Sequence, residues 1–169
     1  MGYYNANAGI AIATQSAPNT FYSLTDHNRQ PISFDFDILE KANRMSDGTM
    51  RKFVVARKIK LGTSWQDLPS GTFAPITGSS QGYTMTVDGN KGGAWIKDFY
   101  ETNMFKPVLV RITHSQDTAS ANSANAFYPS PSASGNETIT AFISNFSYEV
   151  TKRYEYTDLV NVKIEFTEI

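Results

Sequence analysis

The last apolar segment of the chain alternates more regularly than any other. Every second residue is apolar in the stretch that holds Val160, Val162, Ile164 and Phe166. Successive side chains of a β-strand point to opposite faces, so a period of two places these four on one side of a sheet. The residues between them are polar or charged. The pattern therefore predicts a strand with one buried face, and the chain must supply a sheet for it.

The preceding segment has the same period but changes phase in its middle. Ile139, Ala141 and Ile143 share one parity, whereas the apolar residues from Phe146 to Val150 share the other. One extra residue in a strand shifts the parity in this way, so the sequence predicts a β-bulge near Ser144-Asn145. A charged turn joins this strand to the last one.

Another antiparallel hairpin is predicted in the first half of the chain. Ile32, Phe34, Phe36 and Ile38 alternate with polar residues. In the second strand, apolar residues share a face with Arg57: Phe53, Val55, Ile59 and Leu61. Asp-Gly is a strong turn signal between two such runs, so Asp47-Gly48 is expected to join them. A short buried strand is also expected after Pro107.

A single helix is predicted from about Lys91 to Asn103, with Trp95, Ile96 and Phe99 packing it onto the sheet. Gly92 and Gly93 would let its first turn approach closely, and Asp88 or Asn90 is a candidate N-cap. The glycine-rich stretch before it is not a nucleotide loop. A Walker loop needs a lysine followed by Ser or Thr, and neither that order nor a GxGxxG fingerprint is present.

These elements predict a mainly β fold, a sandwich or barrel of antiparallel strands, with one packed helix. Residues 1–25 are expected to form an extended arm that orders on a neighbouring subunit, the alternative being a frayed terminus. Residues 26–169 are expected to form one β-rich domain. Its 115–137 segment is a long loop of Ser, Ala, Asn and Pro, expected to be mobile in the monomer or ordered by assembly.

Catalytic and cofactor chemistry finds no support in the residue patterns. The chain has no cysteine, and its histidines, His27 and His114, stand in separate loop-like regions without a triad pattern. Asp35 and Asp37 lack the loop that a calcium site requires. We therefore expect no enzyme activity, no cofactor and no metal. Neither a signal peptide nor a membrane-spanning segment is recognisable, so a soluble protein made in the cytoplasm is expected.

The composition instead favours contacts between subunits. Only 18% of the residues are charged while 13% are aromatic, and the formal net charge is -1. Interface cores are depleted in charge and enriched in aromatic residues, whereas nucleic-acid binding usually needs a net basic domain. Basic residues cluster in the first hairpin, which suggests a charge belt between subunits. The candidate inter-subunit contacts are Tyr3, Tyr4, Phe21, Tyr22, Arg44, Asp47, Arg51, Lys52, Phe127 and Tyr128.

Three segments together resemble structural proteins of tailed-bacteriophage tails. They are residues 28–69 with their "GTMRK" turn, the "TVDGNKGGAWIKDFYETN" helix motif, and the final "ISNFSYEVTKRYEYTDLVNVKIEF" hairpin. The resemblance implies a tail-tube type of fold and hexameric rings that stack around a lumen for DNA. It also implies other tail proteins as partners, and a place in the virion after synthesis in the host cytoplasm. A head-decoration or head-tail connector protein remains an alternative, as does a carbohydrate-binding adhesion module that uses Trp65, Tyr83 or Tyr128.

Overall fold

Antiparallel strands and one helix make up the fold of the computed structural model, which describes residues 9–70, 72–73, 83–84, 86, 88, 90–113, 136–155 and 157–169. The strands are β1 (Gly9–Thr14), β2 (Tyr22–Ser23), β3 (Ser33–Arg44), β4 (Met50–Pro69), β5 (Thr72–Phe73), β6 (Tyr83–Thr84), β7 (Val108–Thr113), β8 (Asn136–Arg153) and β9 (Asp158–Glu168), and the helix is α1 (Gly93–Asn103). The predicted mainly β class with a single helix is confirmed for these residues.

Seven of the strands form one sheet in the order β2-β1-β7-β8-β9-β4-β3, and β5 and β6 form a separate two-residue pair. All the named strand pairs are antiparallel. The described residues thus build one broad sheet. Its closure into a barrel, or its pairing with a second sheet into a sandwich, stays a prediction.

The two hairpins follow the sequence patterns closely. Asp47 and Gly48 lie in the turn between β3 and β4, as predicted. In β8 the register with β9 shifts between Ile143 and Asn145, which confirms the bulge inferred from the phase change. The alternating apolar residues of β9 are all buried. The period of two together with the Asp-Gly turn signal was therefore enough to locate these strands along the chain.

The predicted arm is wrong from Gly9 onward. Strand β1 pairs along its whole length with β7, from Gly9 opposite Thr113 to Thr14 opposite Val108. Ile10 and Ile12 are buried in the core. The backbone of this segment finds its hydrogen bonds inside the sheet, so it belongs to the domain. Residues 1–8, and with them Tyr3 and Tyr4, lie outside the described residues.

Helix α1 covers the core face of the sheet. Ile96 and Phe99 are buried, Trp95 is half-buried, and the ring of Tyr100 stacks on Phe146 of β8 with centroids 4.5 Å apart. The helix begins after Gly92, which has extended backbone and no side-chain cap. Among the described residues no helix is long and apolar enough to cross a membrane.

The candidate N-caps have another task. Asp88 accepts hydrogen bonds from the Thr25 hydroxyl and from the Asp26 amide, both at 2.7 Å. Asn90 also donates to Asp88, through its amide and its side chain. The carboxylate thus ties the segment before the helix to the segment after β2. Burial raises the pKa of Asp88, but these hydrogen bonds together lower it by a larger amount, so the net shift is downward.

Candidate assembly surface

The β3–β4 hairpin projects beyond the rest of the sheet. Strand β9 pairs with β4 only from Lys60 to Pro69, whereas β3 pairs with β4 out to Met50. The ten residues 50–59 of β4 therefore have β3 as their only strand neighbour in the described sheet. At about 3.3 Å per residue they extend about 33 Å. We call residues 36–59 the distal ribbon.

The distal ribbon exposes an unusual amount of apolar surface. Its exposed large hydrophobic residues are Phe36, Ile38, Leu39, Met45, Met50, Phe53, Val54 and Val55. Val55 retains 72% of its accessible surface and Met50 retains 66%. A two-stranded ribbon alone is marginally stable in water, and contiguous exposed apolar patches usually mark interaction sites. The ribbon is thus the strongest candidate for a protein contact among the described residues.

A bulge distributes these side chains over both faces of the ribbon. Leu39 pairs with Ala56 but the next residue, Glu40, pairs with Val54, so Val55 is the extra residue. This shift separates Phe53 from the face of Ile59 and Leu61. The sequence analysis placed Phe53 with them, and that assignment is wrong because it assumed an unbroken period of two. Both faces of the ribbon consequently carry apolar groups.

Contacts with the end of β9 fix the root of the ribbon. The Glu168 carboxylate accepts the backbone N–H of Ile59 at 2.8 Å, and the Lys58 ammonium donates to the carbonyl oxygen of Ile169. Arg57 lies over the ring of Phe36, 4.2 Å from its centroid. These contacts hold the first residues of the ribbon in line with the sheet, so that its direction is defined.

The tip is held by its own turn. The Asp47 carboxylate accepts two hydrogen bonds from Thr49, one from its backbone N–H at 2.9 Å and one from its hydroxyl at 2.6 Å. Gly48 has φ of 84°, a conformation that glycine adopts without strain. The Thr49 hydroxyl and then its amide lower the pKa of Asp47 below the ordinary value. Asp47 therefore acts in the turn itself, a role distinct from the subunit contact predicted for it.

The ribbon and the remainder of the chain carry opposite charge. Residues 36–59 contain six Lys or Arg and three Asp or Glu, so the net charge of the ribbon is +3. The whole chain has 15 Lys or Arg and 16 Asp or Glu, which leaves a net charge of -4 for the rest. Lys52 pairs with Glu40 at 2.5 Å and Lys60 with Asp37 at 3.0 Å, both at exposed positions. Exposed pairs of this kind stabilise little, so the net positive charge is available to a partner.

The other sequence-predicted contacts are spread over the fold. Arg44, Arg51 and Lys52 lie on the ribbon near its tip. Phe21 sits against Arg111, whose guanidinium carbon is 4.2 Å from the ring centroid. Tyr22 is 38% exposed and its ring lies 5.1 Å from that of Trp95. Phe127 and Tyr128 lie outside the described residues. Of the predicted contacts within the described residues, the structure brings the three basic residues together with Asp47.

Sequence reasoning selected the charged residues of the ribbon and missed its apolar ones. Leu39, Met50, Val54 and Val55 are exposed, although alternation in a strand usually signals one buried face. The available signal was the length of the hairpin relative to the strands that could flank it. Twenty residues of β4 cannot all be covered by the eleven of β9.

Two alternative kinds of site find little in the described residues. Trp65 is 1% exposed and its indole N–H donates to the carbonyl of Thr25 at 2.8 Å, so it offers no platform for a sugar ring. The side chains of Tyr83 and Tyr128 are not among those described. No group of three or more potential metal ligands occurs within the described part of the chain.

Comparisons with known proteins give likenesses in structure and none in sequence. Neither models of protein families nor curated proteins match the sequence. Among solved structures, the chain is similar to one from "Tail of empty GTA particle computed with helical refinement, C6 symmetry". The likeness covers 99% of this chain and 95% of that one, at 8% sequence identity and a TM-score of 0.48. At that identity and score it carries no argument about what this chain does.

Proposed function

We propose that this chain is a non-catalytic structural protein of a tailed-phage virion. It assembles with copies of itself into hexameric rings, and the stacked rings form the tail tube through which DNA passes. Its partners are further copies of the chain and other tail proteins. The single observation that carries the proposal is the distal ribbon, and the sequence resemblance to phage tail proteins supplies the type of assembly.

The ribbon favours self-assembly for energetic reasons. Burial of apolar surface is worth about 25 cal/mol per Å², so eight large exposed hydrophobic residues represent a substantial driving force for association. A solitary chain would expose them permanently and would be prone to aggregate. A symmetric assembly of identical subunits buries the same patch on every subunit. The opposite charges of the ribbon and the body also suit copies of one chain as partners.

Negative-stain electron microscopy with light scattering tests the proposal. Purified protein at rising concentration should form rings whose mass is six times that of one chain, or tubes built from such rings. A species that stays monomeric throughout the concentration range would refute it.

A pair of matched variants tests the role of the ribbon. Val55→Ser removes an exposed apolar side chain from the ribbon, and Phe105→Ser removes one that is 84% exposed outside it. Because both side chains are exposed, neither change should alter the free energy of unfolding by more than about 0.5 kcal/mol. Assembly should weaken only for Val55→Ser. Equal assembly by the two variants would show that this ribbon side chain does not contribute to assembly.

A further inference from the structure

The two ends of the sheet differ in shape and in charge. Strand β4 runs from the ribbon tip at Met50 to Pro69, where it pairs with Leu159 of β9. The β8–β9 turn therefore lies at the end of the sheet opposite to the ribbon tip. Twenty strand residues at about 3.3 Å separate the two ends by about 66 Å.

A cleft opens at that opposite end, between the start of α1 and the sheet. It has a volume of ≈ 130 Å³. Its lining is mainly apolar, with Gly93 of the helix and Val150, Val160 and Val162 of the sheet, and Ser70 and Asp158 add polar groups. A cavity of about 150 Å³ holds one benzene ring, so this cleft is sized for a single apolar side chain. We call it the pole cleft. Its mouth is apolar too, since Tyr148 and Val150 are 51% and 37% exposed.

The surroundings of the pole cleft complement the ribbon tip electrostatically. Residues 40–52 carry four basic side chains, including Arg51 and Lys52, against Asp47 and Glu40, the ion-pair partner of Lys52, a net charge of +2. The ionisable groups at the opposite end are Asp67, Glu149, Lys152, Arg153, Glu155 and Asp158, a net charge of -2. Complementary potentials of this kind orient two partners and favour one mode of docking.

The one lysine that lines the pole cleft does not disturb this match. Lys97 forms an ion pair with Glu101 one turn further along α1, at 2.7 Å. The Glu101 carboxylate raises the pKa of Lys97, so the lysine stays charged and its charge is balanced within the helix. An incoming basic tip therefore meets a paired cation and an excess of carboxylates.

We infer that copies of this chain dock head to tail, with the distal ribbon of one copy seated in the pole cleft of the next. Tip side chains such as Met50 or Phe53 enter the cleft, and Arg51 and Lys52 face Asp158, which lines it, and Glu155 in the β8–β9 turn. The two surfaces are different and lie at opposite ends, so the contact is heterologous and repeats along the strand direction. The inference rests on the proposed function and names its receiving surface.

Disulfide trapping tests this contact directly, because the chain contains no cysteine that would interfere. Met50→Cys and Val150→Cys proteins are made separately, mixed and oxidised. Docked copies would bring the two cysteines within bonding distance, which requires Cα atoms roughly 4.4–6.8 Å apart. The mixture should give at least about tenfold more cross-linked dimer than a mixture of Met50→Cys with the control Phe105→Cys. Equal yields in the two mixtures would overturn the inference, as would equally strong cross-linking of Met50→Cys with itself.

Charge reversal gives an independent measurement. Arg51→Glu with Lys52→Glu, added to the Met50→Cys protein, should lower the yield about three- to tenfold. Asp158→Lys with Glu155→Lys on the Val150→Cys partner should restore it, and failure to restore it would count against the pairing. Microscopy of the unmodified protein separates the two proposals. Rings or tubes without the Met50–Val150 cross-link would overturn the docking alone, whereas an absence of any assembly would overturn the proposed function as well.

Discussion

Replacing Gly93 by alanine tests how the helix is fastened to the sheet. A Cβ atom at this position would lie 2.6 Å from Cγ2 of Val160, closer than real Cβ contacts come. Two further atoms limit any movement, since the Cα of Ser70 would be 3.5 Å away and Cδ2 of Leu68 3.6 Å. Val160 is β-branched and buried, so its methyl groups cannot simply rotate out of the way. The added methyl group must therefore push the helix off the sheet.

The expected magnitude is the difference between two effects. Overpacking a well-packed core costs about 1–3 kcal/mol. Alanine is a better helix former than glycine by up to about 1 kcal/mol, and less at the first helical position. We expect a net destabilisation of about 1–2 kcal/mol, which lowers the Tm of a domain of this size by about 2–8 °C. Urea titration followed by circular dichroism measures it as a lower midpoint with an unchanged slope.

A double-mutant cycle and a control decide whether the stated contact is the cause. Val160→Ala removes the opposing methyl groups, so the Gly93→Ala/Val160→Ala protein should be more stable than the two single losses predict, by at least about 0.5 kcal/mol. Gly62→Ala is the matched control, because its nearest neighbour is the rotatable hydroxyl of Ser33. A stabilised Gly93→Ala protein, or strict additivity in the cycle, would refute the reasoning.

Three other changes have definite expected outcomes. Deleting residues 1–14 removes β1 and its buried Ile10 and Ile12, so cooperative thermal unfolding should be lost; a truncated protein that melts normally would show that β1 is dispensable. Trp65→Phe leaves the Thr25 carbonyl without its buried donor and should cost about 1–3 kcal/mol in urea titration, whereas an unchanged midpoint would mean that this hydrogen bond does not contribute. Because the pKa of Asp88 is lowered in the folded protein, its stabilisation is present above the ordinary value of 3.8 and is lost as the pH falls through the folded pKa. Asp88→Asn should thus be less stable at pH 7 and lose less stability on acidification, and parallel pH profiles would contradict the role given to Asp88.

The sequence predicted those strands whose two faces differ. In β9 apolar and polar residues alternate because one face is buried and the other is polar, and the period reveals it. Strand β1 was missed because both of its faces are covered. Ala11 and Ala13 are buried as fully as Ile10 and Ile12, so the small residues between them looked like part of a polar tail. A strand of that kind has no alternation to read.

Long-range contacts were the second limit. The Asp88 carboxylate bonds to Asp26, 62 residues away, so a rule for helix caps, which reads only neighbouring residues, assigned it the wrong role. The same limit applies to the assembly surface. Its basic residues are visible in the sequence, but the exposure of Val54 and Val55 depends on where β9 ends relative to β4.

One side chain lies at that end point. The Glu168 carboxylate occupies the position beside β4 that the carbonyl of another strand residue would take, and satisfies the N–H of Ile59. It therefore fills one hydrogen-bonding position on the β4 edge, much as the side chain of an N-cap residue satisfies a backbone N–H in the first turn of a helix. Beyond it the β4 edge no longer pairs with β9, and the sheet continues as the two-stranded distal ribbon. A single carboxylate thus lies at the boundary between the covered sheet and the part that a partner can reach.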